Sequence, residues 1–491
     1  MELLLTVSRD RPDTLRTQIE VQLRTAIRDG SLRPATVVPS TRDLAAQLGC
    51  SRRVVADAYA QLAAEGYLAL RQGARPRVAD GPFRPVAAED RGVPPERSSG
   101  TPRSLLPDAT PPVRFDFRPA RPDVSAFPRE AWSRCLRDAV GEITVADLGY
   151  GDPFGVDALR ESIAGYLGRV RGVVADPACV VVTNGYLPGL GLVCRALAAR
   201  GARRIALEDP SSWDHDHIVA RAGLEPVRVP VDDRGLRVDL LDAAHVQAVV
   251  LTPAHQHPTG VVLTPGRRAE LVTWLRRHDA IAIEDDYDAE YRYDRPAVGA
   301  LQGLDRDHVV YAGTASKVLA PALRLGWMVV PAALAADIRH ERMLSDQGTA
   351  RIEQLAFARF LERGDLDRHL RRMRLRYRAR RDVMIEALAA DLPGARVCGI
   401  AAGLHVTVEL PGAGDETGIR RAAGAAGIAL GALTDYRTGR DRPATLILGY
   451  AQMSEGRIRG GVHELARVIR DVRRSAAGTP AGRPAGRGEE Y

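Results

Sequence analysis

The chain has 491 residues, 45% of them apolar and 27% charged, with a formal net charge of +7. That length exceeds one ordinary domain, the composition is that of a globular protein, and no run approaches the roughly 18 apolar residues of a membrane helix. Five cysteines (Cys50, Cys135, Cys179, Cys194, Cys398) are odd in number and widely spaced, with no CxxC pair. This argues against a disulfide framework or a metal site and predicts reduced thiols in a cytoplasmic protein. The opening MELLLTVSRDRPD lacks a signal-peptide pattern, and no membrane partner is expected.

Residues 1–79 form the first predicted unit. Leu15, Ile19, Leu23 and Ile27 recur every four residues, an apolar helical face that ends near Gly30. Ser40-Thr41-Arg42-Asp43 predicts a capped second helix, running through Leu44 to Leu48. After the turn at Gly49-Cys50, Ser51 caps a third helix that buries Val55, Ala58, Tyr59 and Leu62, and Gly66 closes it. Strand 67–70, a turn over 71–76 and strand 77–79 add a small hairpin. Two helices with a short connection followed by a hairpin predict a winged helix-turn-helix.

On that reading Arg52 and Arg53 occupy the first turn of a recognition helix, where major-groove contacts are made. Arg42 reaches phosphate or a base edge, and Arg71, Arg75 and Arg77 on the wing suit backbone or minor-groove contact. Residues 1–78 carry 12 Arg against 8 acidic residues, a surplus suited to a double-stranded DNA partner. The text IRDGSLRPATVVPSTRDLAAQLGCSRRVVADAYAQLAAEGYLALRQG strongly resembles the DNA-binding domain of the GntR family. The resemblance implies that Arg42, Ser51, Arg52 and Arg53 lie at the DNA. Two departures stand out: Ala35 replaces the usual Gly after LRP, and the wing reads GARPRV in place of a Gly-Ser-Gly-Thr turn.

Residues 80–113 contain eight prolines and no apolar period, which predicts a linker spanning on the order of 30 Å. Residues 114–474 then alternate strand-like runs with amphipathic stretches. The runs are 180–182, 204–207, 248–251, 280–283 and 309–311, the pattern of a mostly parallel sheet covered by helices. From about 352 a long basic helix over 366–390 and a strand over 404–408 predict a smaller α+β subdomain. A Gly-, Ala-, Pro- and Arg-rich tail over 475–491 is expected to be disordered.

The chain holds 68 Arg and one Lys, Lys317, in Gly313-Thr314-Ala315-Ser316-Lys317. A guanidinium stays charged and forms no imine with an aldehyde, so a lysine kept here among so many arginines points to a deprotonatable amine. Thr314, Ser316 and Arg324 around it suit a phosphate. Glu284-Asp285-Asp286-Tyr287 follows a predicted strand, placing an acid for a pyridine nitrogen and a phenol for a ring oxygen at the strand's carboxyl end. Gly185-Tyr186-Leu187 joins strand to helix, where amides receive phosphate.

Together with YGDPFG (150–155), HPTG (257–260) and LRLGW (323–327), these segments resemble the fold-type I pyridoxal-phosphate enzymes of the aspartate aminotransferase family. The resemblance covers roughly 114–474. It implies pyridoxal 5'-phosphate as cofactor and Lys317 as the catalytic Schiff-base residue. It assigns Asp285 to the pyridine nitrogen, Tyr287 to the ring hydroxyl, and Thr314, Ser316, Arg324, Gly185, Tyr186 and Leu187 to the phosphate. It also implies a homodimer in which Tyr150 reaches the partner's phosphate.

The departures from this family concern the ring and the substrate. His257 replaces the usual Asn, and Trp213 falls one position late for the aromatic that stacks on the ring. Ile447 stands where the enzymes place an Arg for the substrate carboxylate; Arg437 and Arg440 lie nearby, though nothing in the sequence requires either to replace it.

The whole chain is similar to the MocR-type subgroup of GntR regulators. The expected fold is a winged helix-turn-helix plus an α/β fold-type I aminotransferase-like domain with a smaller α+β subdomain. The expected function is a pyridoxal-phosphate-dependent regulator that senses an effector at the Lys317 aldimine. Ile447 favours the cofactor itself, or an amine lacking a carboxylate, as the signal. The alternative is an active aminotransferase with an accessory DNA-binding domain, which Ile447 weighs against.

Overall fold

The computed structural model describes residues 5–71, 73–80, 113–293, 298–412, 416–437 and 443–477, with backbone alone at 475–477. The expected linker apart from Asp80 and Val113, the tail beyond 477, and Arg440 lie outside the described residues. The chain divides into two compact units, Met1–Arg103 and Ser104–Tyr491.

In the first unit, helices Leu15–Arg28, Thr41–Gln47 and Arg52–Ala64 follow the apolar spacing. Their starts are fixed by Thr14, Ser40 and Ser51, whose hydroxyls accept from Thr17, Asp43 and Val54 amides that have no helical partner. Ile19, Leu23, Ile27, Leu44, Val55, Ala58, Tyr59 and Leu62 are buried in one core. Leu15, expected on that face, is only half-buried because it lies at the helix start. The wing is shorter than expected: Leu68–Ala69 pairs antiparallel with Arg77–Val78.

At the base of the wing the chain turns through Ala35, whose φ is 63°. Its amide donates to Val78 O at 3.0 Å, and the Val78 amide returns to Thr36 O at 2.8 Å. This is the left-handed region in which a Cβ costs about 1–2 kcal/mol, so an alanine here is strained where a glycine is not.

The second unit is built on an eight-stranded sheet. In spatial order its strands are Val180–Thr183, Gly326–Val329, Val309–Thr314, Ile281–Asp286, Ala248–Leu251, Arg204–Asp209, Glu225–Asp232 and Gly235–Leu236. The second and last of these run antiparallel to their neighbours, and the other six are parallel to one another. Ile205, Leu207, Val250, Ile283 and Val310 pack on one face, and Ala206, Val249, Leu251, Ala282 and Val309 on the other. Both faces are therefore dry, which is why the strands read as continuous apolar runs.

A second sheet of five strands runs Arg396–Cys398, His405–Leu410, Ala444–Gly449, Ile428–Ala432 and Phe115–Phe117. The last strand corrects the expectation that the smaller subdomain begins near 352. Phe115–Phe117 pairs parallel with Ile428–Ala432 across three hundred residues of sequence, and three residues give no period to read. Helix Asp365–Asp391 agrees with the predicted basic helix. Helix Glu455–Ala477 runs three residues into the expected tail, because an Ala- and Arg-rich segment continues a helix already begun.

Replacing Ala35 by Gly removes the Cβ strain at the wing's base. The expected result is a head more stable by about 0.5–1 kcal/mol, read as a higher midpoint of its unfolding transition in the full-length protein.

Candidate cofactor site and DNA-facing head

Six parallel strands deliver their carboxyl ends to one rim, and the residues singled out in the sequence follow those ends. Thr183 leads to Gly185 and the helix Tyr186–Ala199; Ile281–Asp286 leads to Tyr287; Val309–Thr314 leads to Ser316 and Lys317 on the single turn Ala315–Val318.

Glu284, Asp285, Asp286 and Asp288 crowd the end of one strand, and burying such a row demands a partner for each. Glu284, 0% exposed, accepts the amides of Leu301 and Gln302 at 2.9 and 3.1 Å. Burial and the adjacent Asp286 push its pKa up to about 7. Asp286 pairs with Arg171 at 2.6 Å, both side chains 1% exposed, and accepts from the Tyr311 hydroxyl at 2.7 Å. Asp288 pairs with His255 Nδ1 at 2.9 Å. Asp285 is the exception: its side chain makes no hydrogen bond among the described residues. Burial, then Asp286, holds its carboxyl well above the usual range, while Lys317 opposes that rise.

The Lys317 amine donates to Ala120 O at 2.8 Å. Burial lowers its pKa, against the pull of Asp285 and Asp288. The unprotonated amine, which a lowered pKa favours, is the nucleophilic form of lysine.

Histidines make a wall that the sequence reading missed. Nδ1 of His255 lies 3.1 Å from the Tyr287 hydroxyl, and the two rings stack. His257 packs edge-on against Tyr287 at 5.7 Å, His405 at 5.3 Å and Tyr436 at 5.1 Å. Burial keeps His257 neutral, its pKa well below the usual value, and lowers His405 and His215 to about 4. Nδ1 of His257, Nδ1 of His405 and the Tyr186 hydroxyl are buried without a hydrogen bond. Buried polar groups of this kind call for a partner that the surrounding side chains do not supply. Trp213 instead packs on His217 within its own helix, and it is His215 that meets the Tyr186 ring, at 5.7 Å.

The loop bearing His257 is held from below. Glu208 accepts from the Thr252 amide at 3.0 Å, its hydroxyl at 2.8 Å and Gln256 Nε2 at 3.2 Å. From the smaller sheet, Thr407 Oγ1 donates to Pro258 O at 2.5 Å and His405 Nε2 lies 3.2 Å from the same oxygen. Thr407 is directly opposite Ile447 in the sheet, so both point to this face. Ile447 is fully buried.

At the other end, Gly185 has φ 103° and the Arg324 guanidinium lies 3.1 Å from where its Cβ would be. Arg324 donates to Asn184 O at 2.6 Å, and the hydroxyls of Thr314 and Ser316 are 3.0 Å apart. Helix amides, two hydroxyls and a guanidinium form an anion cradle there. Leu187 lies in the first turn of the same helix. Tyr150 does not join the others: it is 87% exposed. Among the described residues no cluster of three His, Cys, Asp or Glu could hold a metal, and no helix is long and apolar enough to cross a membrane.

In the head, Arg42, Ser51, Arg52, Arg53, Arg71 and Arg75 are all exposed. Arg52 Nε donates to Thr41 Oγ1 at 3.3 Å, joining the starts of the second and third helices, while Arg53 stays 91% exposed beside Asp57.

Comparison with known proteins matches residues 132–460 to the family model for aminotransferase class I and II, and residues 15–78 to that for bacterial regulatory proteins of the gntR family. The chain is 30% identical to the HTH-type pyridoxine biosynthesis transcriptional regulator PdxR of Corynebacterium glutamicum, covering 95% of this chain and 99% of that protein. It is 32% identical to the probable rhizopine catabolism regulatory protein MocR of Rhizobium meliloti, covering 94% and 95%. Among solved structures, a multiple substrate aminotransferase from Thermococcus profundus superposes with a TM-score of 0.68 at 26% identity, over 76% of this chain and 97% of that one.

His405 supplies a pH test of the wall. Its folded pKa, near 4, lies below the ordinary histidine value, so its contribution is complete above about pH 6.5 and is lost as pH falls toward 4. His405→Gln keeps a donor for Pro258 O and removes the titration. Relative to the variant, wild type is expected to lose up to about 1.4 kcal/mol per pH unit across that window, measured by denaturant unfolding.

Proposed function

This chain belongs to the MocR-type subgroup of the GntR family, a winged helix-turn-helix joined to a class I and II aminotransferase body, and from that premise we propose a pyridoxal-phosphate-dependent transcriptional regulator. The observation that carries the reading is Asp285, the one acid of its row without a hydrogen bond, electrostatically coupled to the sole lysine.

The residues present fit the cofactor. Asp285 would hold the pyridine nitrogen protonated, a role that supplies the missing hydrogen bond. Tyr287, fixed by His255, would donate to the ring oxygen. Thr314, Ser316, Arg324 and the amides of Gly185, Tyr186 and Leu187 would take the phosphate. The cofactor, held by these residues, would supply an aldehyde able to form an imine with the Lys317 amine or with an incoming amine in its place. The chain's own part is to lower the pKa of the Lys317 amine, to orient it from a rigid strand end, and to exclude water with the histidine wall.

We further propose a homodimer. Val145, Leu148 and Tyr150 lie within six residues and are 89%, 66% and 87% exposed, an apolar stretch that a second copy would cover. Tyr150 would then reach the partner's phosphate. The exposed arginines of the head would bind operator DNA in the cytoplasm, Arg52 and Arg53 at base edges and Arg42, Arg71 and Arg75 at the backbone. An effector, the cofactor or an amine, shifts the head only by binding two states of the protein unequally.

Purified protein supplied with pyridoxal phosphate is expected to gain a visible absorbance band that Lys317→Ala loses. Asp285→Ala is expected to weaken cofactor retention at least tenfold, on the scale of a lost charged hydrogen bond. A wild-type protein with no band contradicts the cofactor reading.

A further inference from the structure

Asp288 lies one residue beyond Tyr287 and has no role in the cofactor reading, yet it is only 1% exposed. Its Oδ2 is 2.9 Å from His255 Nδ1, and the Tyr287 hydroxyl is 3.1 Å from that same nitrogen. One ring nitrogen thus faces two oxygens, and it has at most one hydrogen to give. An ionised carboxylate can only accept, so the hydrogen sits on Nδ1 and points to Asp288. Nδ1 then has no lone pair for the phenol, and the Tyr287 proton is left to be donated elsewhere. Burial, then the Asp288 charge, holds the Tyr287 pKa well above the ordinary tyrosine range, so that proton stays on the oxygen.

Backbone packing restrains the pair. Gly403, at φ 75°, closes over it, and a Cβ there would collide with Asp288 Oδ2 and His255 Cε1. The Gly403 carbonyl accepts from the Tyr293 and Tyr450 hydroxyls at 2.7 and 2.6 Å, and its amide donates to Tyr291 O at 2.8 Å. The His255 ring stacks on Tyr287 and meets the His405 ring at 5.6 Å. The imidazole is therefore fixed from three sides: the loop after Ala248–Leu251, the end of Ile281–Asp286, and the turn before His405–Leu410. Asp288 also acts on the titrations of Asp285, Glu290, Lys317 and His405.

We propose that Asp288 is a positioning residue: through His255 it directs the Tyr287 proton toward the cofactor's ring oxygen. This rests on the cofactor reading above. Without the carboxylate, Nδ1 is free to become an acceptor. The phenol is the more acidic donor of the two, so its hydrogen turns away from the ring and toward the imidazole.

The test follows the visible band of full-length protein loaded with pyridoxal phosphate as pH is varied. A ring oxygen that loses the phenol's hydrogen bond holds the neighbouring imine proton more tightly, so the band's pH midpoint rises. Loss of the Asp288 charge alone acts in the opposite sense, because that carboxylate raises the pKa of the Lys317 amine. Asp288→Asn is expected to raise the midpoint. Its shift is expected to exceed that of the same substitution in a Tyr287→Phe background by about one to two pH units, the scale of one hydrogen bond to a charged oxygen. Equal shifts in the two backgrounds, or a fall in both, overturn the proposal. Nitrogen-15 spectra of histidine-labelled protein, with His255 identified by its loss in His255→Gln, need no Asp288 variant. In wild type before cofactor is added, Nδ1 of His255 is expected to carry a hydrogen, and a bare Nδ1 overturns the proposal even if no Asp288 variant folds. Absence of any band in wild type overturns the cofactor reading and this proposal with it; a normal band that Asp288→Asn leaves unmoved overturns this proposal alone.

Discussion

Four carboxylates within five residues, at the buried end of Ile281–Asp286, set the terms for everything around them. Such a row folds only if each charge is matched or neutralised. Arg171 and Tyr311 match Asp286, two backbone amides take Glu284, and His255 takes Asp288. These bonds tie the strand end to a helix below, to the segment after 298 and to the loop bearing His257. What remains is Asp285, held in place by its neighbours and left without a hydrogen bond of its own. In the proposed site, the acids that take no part would supply the rigidity, and Asp285 would be the one left to receive a ligand.

The same constraint explains the histidine wall. His255 is positioned by Asp288, and Tyr287 stacks on it. His257 and His405 stay neutral in a buried setting already crowded with Lys317 and other histidines. The neutral His257 ring still offers its Nδ1, which has no hydrogen bond. Opposite Thr407, Ile447 presents a fully buried aliphatic side chain to this face.

Local signals were legible in the sequence wherever one element carried them. The three head helices agree with their apolar spacing and Ser caps, since both are short-range effects. The five apolar runs became strands because both faces of the sheet are dry. Lys317, Asp285 and Tyr287 were visible because each sits at a strand end with telling neighbours. The pairing of Phe115–Phe117 with Ile428–Ala432 was hidden by its length and by distance along the chain. Asp286–Arg171 and His405–His257 were hidden for the same reason: an ion pair across 115 residues leaves no local trace.

In the proposed regulator, chemistry at Lys317 is read out at DNA. The direct measurement is footprinting of wild type and Lys317→Ala on the DNA upstream of the protein's own gene, with and without pyridoxal phosphate. The cofactor is expected to shift wild-type half-protection by about fivefold or more, the lower end of typical coupling between sites, while Lys317→Ala binds the same DNA and does not respond. Equal responses from the two proteins would contradict it.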